Sequence, residues 1–184
     1  MAYIDIPSGF PGIAGLMKYR PDTGKLLLEL SETLLRGDSP LSLEEREIIA
    51  AYVSHRNECN FCTGVHGAVA KQLLKNDSNV VDTVYQNLES ANITDKLKAL
   101  LKIAAKVQLD GKQVSEDDIQ QAKNLGATDR EIHDTVLIAA AFCMFNRYVD
   151  GLATTIPKEP GAYEQIACQI VESGYSGSKE LLFE

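Results

Sequence analysis

Hydrophobic residues recur every three or four positions along most of the chain, and no stretch keeps the alternation that indicates a strand. This spacing predicts a helix over 21–36, with Pro21 in its first turn and Gly37 just past its end. Further helices are predicted over about 42–56, 57–74, 79–89, 95–109, 116–125, 129–153 and 161–173. The pattern therefore predicts an all-α fold built as a compact multi-helix unit.

Polar residues mark where several of these helices begin. Ser42 and Glu45 form a capping-box pattern, in which each side chain satisfies an exposed backbone N–H at the other residue. Thr128 and Glu131 repeat this pattern before the longest predicted helix. Two further caps are expected, at Thr94 and Ser115.

Chain length and the distribution of proline and glycine predict the domain organisation. A chain of 184 residues fits one domain, and at this size roughly 70% of the unfolded surface becomes buried without disulfide staples. Prolines and glycines punctuate residues 1–20, which predicts an irregular N-terminal arm. Residues 21–173 are predicted to form a single all-helical domain, and 174–184 a mobile tail.

Charge and hydropathy narrow the class of protein. The formal net charge is −8, which argues against a nucleic-acid partner or an anionic membrane surface. The longest apolar run, 136–145, suits a buried helix rather than a membrane span. The N-terminus lacks the basic start and apolar stretch of a secretion signal, so we expect a cytoplasmic location with reduced cysteines.

One spacing carries candidate chemistry, namely Glu47-x11-Cys59-x-x-Cys62-x-x-x-His66. On one helix, Cys59, Cys62 and His66 share a face, and Cys62 and His66 are close enough to touch. A thiol beside an imidazole favours the reactive thiolate, while Cys59 near a helix N-terminus also meets the positive end of the dipole. If the preceding helix packs antiparallel, the Glu47 carboxylate faces His66.

Two other interpretations of the cysteines stay open. Cys59, Cys62 and His66 could supply part of a structural zinc site, although the usual second ligand pair is missing from the sequence. Alternatively, the thiols are inert and buried, as free cysteines often are. The joint spacing with Glu47 favours redox chemistry, and Cys143 and Cys168 are interpreted as structural.

A short internal repeat accompanies the motif. The tripeptide 46–48 (Arg-Glu-Ile) recurs at 130–132, and at the same offset Cys143 corresponds to Cys59. Asn146 and Asp150 then stand where the first copy has Cys62 and His66. Either the match arises by chance, or it marks two similar helix pairs with the chemistry kept only in the first.

The motif resembles the signature of the alkylhydroperoxidase D family, within the carboxymuconolactone decarboxylase-like superfamily. The likeness covers about 40–75, and extends more weakly to about 157, where the chain resembles the peroxidase-related branch. It implies a small all-helical antioxidant enzyme that reduces alkyl hydroperoxides or hydrogen peroxide and needs no cofactor or metal.

The resemblance also implies a role for each motif residue. Cys62 becomes the oxidised thiol, Cys59 donates a proton and closes the disulfide, and His66 and Glu47 form a proton relay. The helix dipole instead favours Cys59 as the more acidic thiol. We give the relay more weight, because a paired imidazole also provides a proton path.

The chain departs from the family pattern at Phe61, where the best-described members carry a second relay histidine. Either the relay is shorter here, or His55 partly substitutes. The resemblance further implies a dithiol reductant, lipoyl-bearing or thioredoxin-like, and a homo-oligomer (dimer, trimer or hexamer). A decarboxylase-like enzyme of the same fold, independent of the cysteine pair, remains an alternative.

Overall fold

The computed structural model describes residues 2–183, apart from the side chain of Asn76. Within this range the chain forms ten α-helices and no strand. They are α1 (Ile13–Tyr19), α2 (Pro21–Arg36), α3 (Leu43–Arg56), α4 (Asn60–Leu74), α5 (Asn79–Gln86), α6 (Asp95–Leu109), α7 (Glu116–Asn124), α8 (Asp129–Gly151), α9 (Ala162–Ser173) and α10 (Lys179–Phe183). The predicted all-α fold is confirmed. No helix within 2–183 is long and apolar enough to cross a bilayer.

The predicted caps account for four of the ten helix starts among residues 2–183. Ser42 and Thr128 each close a complete capping box, with Glu45 and Glu131 as the returning side chains. The expected caps at Thr94 and Ser115 also accept a backbone hydrogen bond. The helix bounds differ at a few ends: α4 begins at Asn60 rather than at 57, and α5 and α8 stop earlier than predicted, at Gln86 and Gly151.

Helix α3 lies at the centre of the fold. It contacts α4, α6 and α8, and α9 lies along the other side of α4. Every residue from Arg46 to Ser54 is buried, so α3 has no solvent-facing side in this stretch. A helix buried on all sides gives a weak amphipathic pattern, and its polar residues must find partners inside the protein.

The N-terminal arm is more ordered than its sequence suggested. It contains α1, where Leu16 is fully buried. Backbone hydrogen bonds fix the arm along the segment after α8, from Tyr3 N–H to the Leu152 carbonyl and from Gly12 N–H to the Thr155 carbonyl. The expected irregularity is therefore confined to the residues before Ile13, of which Met1 lies outside the described range.

The C-terminal segment after Ser173 also differs from the expected mobile tail. Tyr175 and Leu182 are buried, and Ser176 N–H donates to the Glu32 carboxylate at 2.9 Å. Glycines and serines occupy four of the five positions 174–178, and they concealed the few side chains that anchor the segment. Glu184, the last residue of the predicted tail, lies outside the described range.

The two copies of the internal repeat have different local structures. The first copy contains a break, because α3 ends at Arg56 and α4 begins at Asn60. The second copy runs through α8 without interruption, with Cys143 in mid-helix. The repeat therefore does not mark two similar helix pairs.

Candidate active site

The break between α3 and α4 sets the position of the first cysteine. Glu58 adopts a left-handed conformation (φ 57°), which turns the chain sharply after α3. Cys59 is then the N-cap residue of α4 rather than a member of the helix, and Cys62 lies in the first turn. Both thiols are free and buried, with exposed fractions of 0% and 3%.

The two thiols have opposite acidities. Interaction with the Cys62 thiol lowers the pKa of Cys59, and the Cys62 backbone N–H adds to this effect. The same interaction, together with burial, raises the pKa of Cys62. The Asp150 carboxylate opposes thiolate formation at both sulfurs. Cys59 is therefore the more acidic thiol, as the helix dipole predicts.

Glu47 is a fully buried carboxylate with three donors. Its Oε2 lies 2.8 Å from His66 Nδ1, and its Oε1 accepts from Arg36 Nη1 at 2.8 Å and from the Tyr175 hydroxyl at 2.7 Å. Burial by itself raises the pKa of Glu47. The hydrogen bond from His66, the charge of Arg36 and the Tyr175 hydroxyl outweigh burial and hold that pKa below its ordinary value. Glu47 is thus a carboxylate, whose charge Arg36 balances.

His66 is held from its Nδ1 side. Both neighbours of Nδ1, Glu47 Oε2 and the Tyr175 oxygen at 3.1 Å, are hydrogen-bond acceptors at that position. The ring also meets the Phe142 ring edge-on, with centroids 4.6 Å apart. Nε2 has no hydrogen-bond partner among residues 2–183, and no hydrogen bond joins His66 to either sulfur. The predicted Glu47–His66 pair is therefore present, whereas the predicted direct contact between Cys62 and His66 is not a hydrogen bond.

An apolar cavity of about 350 Å³ adjoins this cluster. Cys62 and His66 both line it, whereas Cys59 does not. Its wall combines the N-terminal arm, α2, α4, α8, α9 and the C-terminal segment, and includes Phe10, Met17, Leu28, Phe142, Ile166 and Leu182. No lysine or arginine lines the cavity within the described chain. A small uncharged molecule in this space meets the Cys62 sulfur and the His66 ring.

Phe61 forms part of this wall instead of a proton path. Its side chain is 7% exposed and packs on Gly12. A Cβ at Gly12 would lie 2.3 Å from the Phe61 ring, and Gly12 has a φ of 58°, so only glycine fits this contact. Phe61 therefore fixes the N-terminal arm over the cavity.

His55 is not part of the cluster. It is exposed at the C-terminal end of α3 and stacks on Tyr85, with ring centroids 4.4 Å apart. The chain reversal at Glu58 separates it from the face that carries Cys62 and His66. The structure does not bring His55 together with the predicted relay.

Sequence reasoning missed two residues of the cluster. The sequence pattern places Arg36 only at the end of a predicted helix and Tyr175 only in a predicted mobile tail. Nothing local distinguishes Arg36, whereas an aromatic residue within a Gly- and Ser-rich stretch was a usable signal for Tyr175. Both reach Glu47 only because α2 and the C-terminal segment converge on α3.

The remaining cysteines have different environments. Cys143 is half-buried near Asn57, whose amide also donates to Asn146 at 2.8 Å. Cys168 is exposed, and the Glu172 carboxylate beside it raises its pKa. Within 2–183 no three side chains of His, Cys, Asp or Glu form a group that could hold a metal ion.

Comparison with known proteins gives a family model and several similar folds. Residues 21–106 match the carboxymuconolactone decarboxylase family. No curated protein sequence is significantly similar to the chain.

Three crystal structures have closely similar folds. An uncharacterized peroxidase-related protein from Silicibacter sp. TM1040 has a TM-score of 0.78 and 24% identity, over 89% of this chain and 94% of that one. An uncharacterized peroxidase-related protein from Ralstonia eutropha JMP134, with an alkylhydroperoxidase AhpD core, has a TM-score of 0.76 and 27% identity, over 85% and 80%. A protein of unknown function from Agrobacterium tumefaciens has a TM-score of 0.70 and 19% identity, over 86% and 100%. Residues 21–106 are therefore similar to the carboxymuconolactone decarboxylase family, and the chain as a whole has an AhpD-like fold.

Proposed function

We propose that the protein is a thiol-based peroxidase, or a related thiol–disulfide oxidoreductase, that uses Cys59 and Cys62 as its redox pair. The observation that carries this proposal is a shared cavity. Cys62 lines the same apolar space as His66, whose ring is oriented by the buried Glu47 carboxylate. The peroxidase-related names of two similar structures, with 24% and 27% identity, support the same class of chemistry.

The acidity of Cys59 and the position of Cys62 assign different roles to the two sulfurs. In the reduced pair, Cys59 carries the thiolate and the Cys62 thiol keeps its proton, so Cys59 acts as the general base that takes this proton as Cys62 reacts. The Cys62 thiolate that results faces the cavity and attacks the terminal oxygen of a hydroperoxide. The O–O bond breaks, Cys62 becomes a sulfenic acid, and the alkoxide leaves as an alcohol with the proton returned from Cys59.

Disulfide formation completes the oxidation. The Cys59 thiolate attacks the Cys62 sulfur, the S–O bond breaks, and hydroxide takes a proton to leave as water. The two sulfurs have then lost two electrons, and the two oxygen atoms of the hydroperoxide have gained them. With Nδ1 held by Glu47, His66 presents Nε2 as the group that passes protons to and from the departing oxygen.

An external dithiol must reduce the Cys59–Cys62 disulfide after each turnover. A lipoyl-bearing or thioredoxin-like protein in the cytoplasm remains our proposed reductant, because neither Cys143 nor Cys168 lines the cavity that Cys62 faces. Cys143 and Cys168 lie half-buried beside Asn57 and exposed beside Glu172, respectively. The proposed cycle requires no metal or organic cofactor.

The proposed homo-oligomer rests on a separate surface. Leu137 and Met144 lie seven residues apart on α8 and are 41% and 44% exposed, so both project from the same side of the helix. A second copy of the chain covering this side would bury both. Light scattering at micromolar concentration checks the proposal. A dimer, trimer or hexamer is expected, whereas a monomer at every concentration contradicts it.

A decarboxylase-like activity is less well supported. Decarboxylation requires a substrate carboxylate, and no lysine or arginine among residues 2–183 lines the cavity beside His66 to pair with one. Decarboxylation that persists in the Cys59→Ser and Cys62→Ser variants would favour this alternative over the peroxidase.

Steady-state turnover tests the proposed function. Reduced protein with excess dithiothreitol should consume cumene hydroperoxide catalytically, and Cys62→Ser should abolish the consumption because the attacking sulfur is gone. Cys168→Ser is the matched control, since it removes a thiol that is exposed yet remote from the cavity. Loss of turnover in both variants, or in neither, contradicts the assignment to Cys62.

A further inference from the structure

The C-terminal segment contributes a polar group to the centre of the molecule. The Tyr175 side chain reaches the Glu47–His66 pair, where its oxygen lies 2.7 Å from Glu47 Oε1 and 3.1 Å from His66 Nδ1. Tyr175 is 8% exposed, and it precedes the short helical segments that carry Leu182 into the core. No other residue of the described chain connects both members of the pair through one atom.

The direction of the Tyr175 hydrogen bond follows from its neighbours. Burial, with the adjacent Glu47 charge, raises the pKa of Tyr175 well above its ordinary value, so the hydroxyl keeps its proton. It has one proton to donate, and the Glu47 carboxylate can only accept. The hydroxyl therefore donates to Glu47, and its oxygen presents a lone pair to His66 Nδ1.

This direction fixes the tautomer of His66. A neutral imidazole carries its proton on one nitrogen only. Nδ1 faces two acceptors, the Glu47 carboxylate and the Tyr175 oxygen, so a lone pair on Nδ1 would be repelled by both. The proton therefore resides on Nδ1, and Nε2 keeps its lone pair for chemistry in the cavity.

We propose that Tyr175 is a positioning residue, which orients the Glu47 carboxylate and holds His66 in the tautomer with its proton on Nδ1. This role deepens the proposed peroxidase function, on which its catalytic consequence rests. Because Tyr175 belongs to the C-terminal segment, the proton relay is complete only when that segment is docked on α3 and α4.

Several groups surround the Glu47 carboxylate and bear on its titration. Arg36 comes from α2, His66 from α4 and Tyr175 from the C-terminal segment, while Arg46 precedes Glu47 on α3. Phe142 of α8 contributes only a ring edge to His66. Removal of the Tyr175 hydroxyl takes away one of the interactions that lower the pKa of Glu47, so that pKa should rise.

The test compares Tyr175→Phe with Tyr85→Phe. Both substitutions remove a buried hydroxyl and keep the ring, but the Tyr85 hydroxyl has no hydrogen-bond partner within the described residues and lies outside the cavity. Phenylalanine at 175 retains the stacking on His66, at a centroid distance of 5.9 Å, and the contact with Arg36. We therefore expect both variants to fold.

Three measurements follow. Tyr175→Phe should lower kcat/KM for cumene hydroperoxide by roughly tenfold, as expected for the loss of a hydrogen bond to a charged group. It should also move the acid limb of the pH–rate profile to higher pH, because the Glu47 carboxylate is then protonated more readily. ¹⁵N NMR of the His66 ring in the unmodified protein should show the proton on Nδ1, and Tyr175→Phe should increase the fraction carrying it on Nε2.

The outcomes separate this proposal from the proposed function. A His66 ring that carries its proton on Nε2 in the unmodified protein overturns the positioning role, whether or not peroxide is reduced and whether or not the variant folds. An acid limb that moves equally in both variants, or in neither, also overturns it. Absence of peroxide turnover together with the Nδ1 tautomer refutes only the peroxidase function.

Discussion

The same tripeptide, Arg-Glu-Ile, opens α3 and α8, yet its glutamate has a different role in each helix. Glu47 lies five residues after its cap, faces the interior and binds Arg36, His66 and Tyr175. Glu131 lies three residues after its cap, so its carboxylate returns to Thr128 and closes the capping box. Two residues turn a helix by about 200°, which directs the two side chains to opposite faces.

The cysteines of the two regions differ for a similar reason. Cys59 follows a left-handed residue and caps α4, where a backbone N–H and a second thiol surround it. Cys143 lies within the unbroken α8, with amide groups rather than a thiol beside it. Two features therefore decide where the chemistry can occur: the position of a residue relative to the helix cap, and the interruption between α3 and α4. Residue identity alone does not decide it.

Loss of the disulfide is the largest difference expected between the two regions. Cys59→Ser should abolish formation of the intramolecular disulfide under hydroperoxide, because the resolving sulfur is gone. Cys143→Ser should form that disulfide as the unmodified protein does. Non-reducing peptide mass spectrometry measures both. Normal disulfide formation in Cys59→Ser would break the comparison.

Removal of the Glu47 or the Glu131 carboxylate should give the next largest difference, in the free energy of unfolding. Glu47→Ala leaves Arg36 buried without its partner, and we expect a loss of about 3–5 kcal/mol in the free energy of unfolding. Glu131→Ala removes a capping-box residue and should lose about 1–2 kcal/mol. Urea denaturation measures both values. Equal losses would show that Glu47 is no more constrained than a helix cap.

The pH dependence of stability sharpens the comparison further. The folded-state pKa of Glu47 is lowered, so its contribution is complete above the ordinary value of 4.5 and is lost as pH falls through the folded value. Glu47→Gln cannot be protonated, and its free energy of unfolding should fall less steeply than that of the unmodified protein below pH 4.5. Urea midpoints at a series of acid pH values check this. Identical slopes would contradict an ionised Glu47.

Replacement of Asp150 should produce the smallest effect, a change in the reactivity of Cys59. It occupies the place in the second copy that His66 has in the first, and its carboxylate raises the pKa of Cys59. Asp150→Asn should therefore increase the rate of Cys59 alkylation by iodoacetamide near neutral pH, by about twofold to threefold. The control is Glu159→Gln, an exposed acid that is not among the groups acting on the thiols. A slower reaction in Asp150→Asn would contradict the electrostatics.

The sequence predicted local features better than long-range ones. Helices, caps and the Glu47–His66 pairing follow from periodicity and from spacing within adjacent helices. The roles of Arg36 and Tyr175 depend on tertiary packing, because α2 and the C-terminal segment reach Glu47 from distant parts of the chain. The wrong position predicted for His55 has a local cause. A glutamate side chain gives no indication that the backbone of Glu58 adopts a positive φ.

The most direct test of the redox assignment compares the oxidation of buried and exposed cysteines. Fully reduced protein is treated with one equivalent of cumene hydroperoxide, and all four cysteines are mapped by mass spectrometry. We predict a disulfide between the buried Cys59 and Cys62, while the exposed Cys168 remains a free thiol. Oxidation of Cys168 alone, with Cys59 and Cys62 still reduced, would contradict the account.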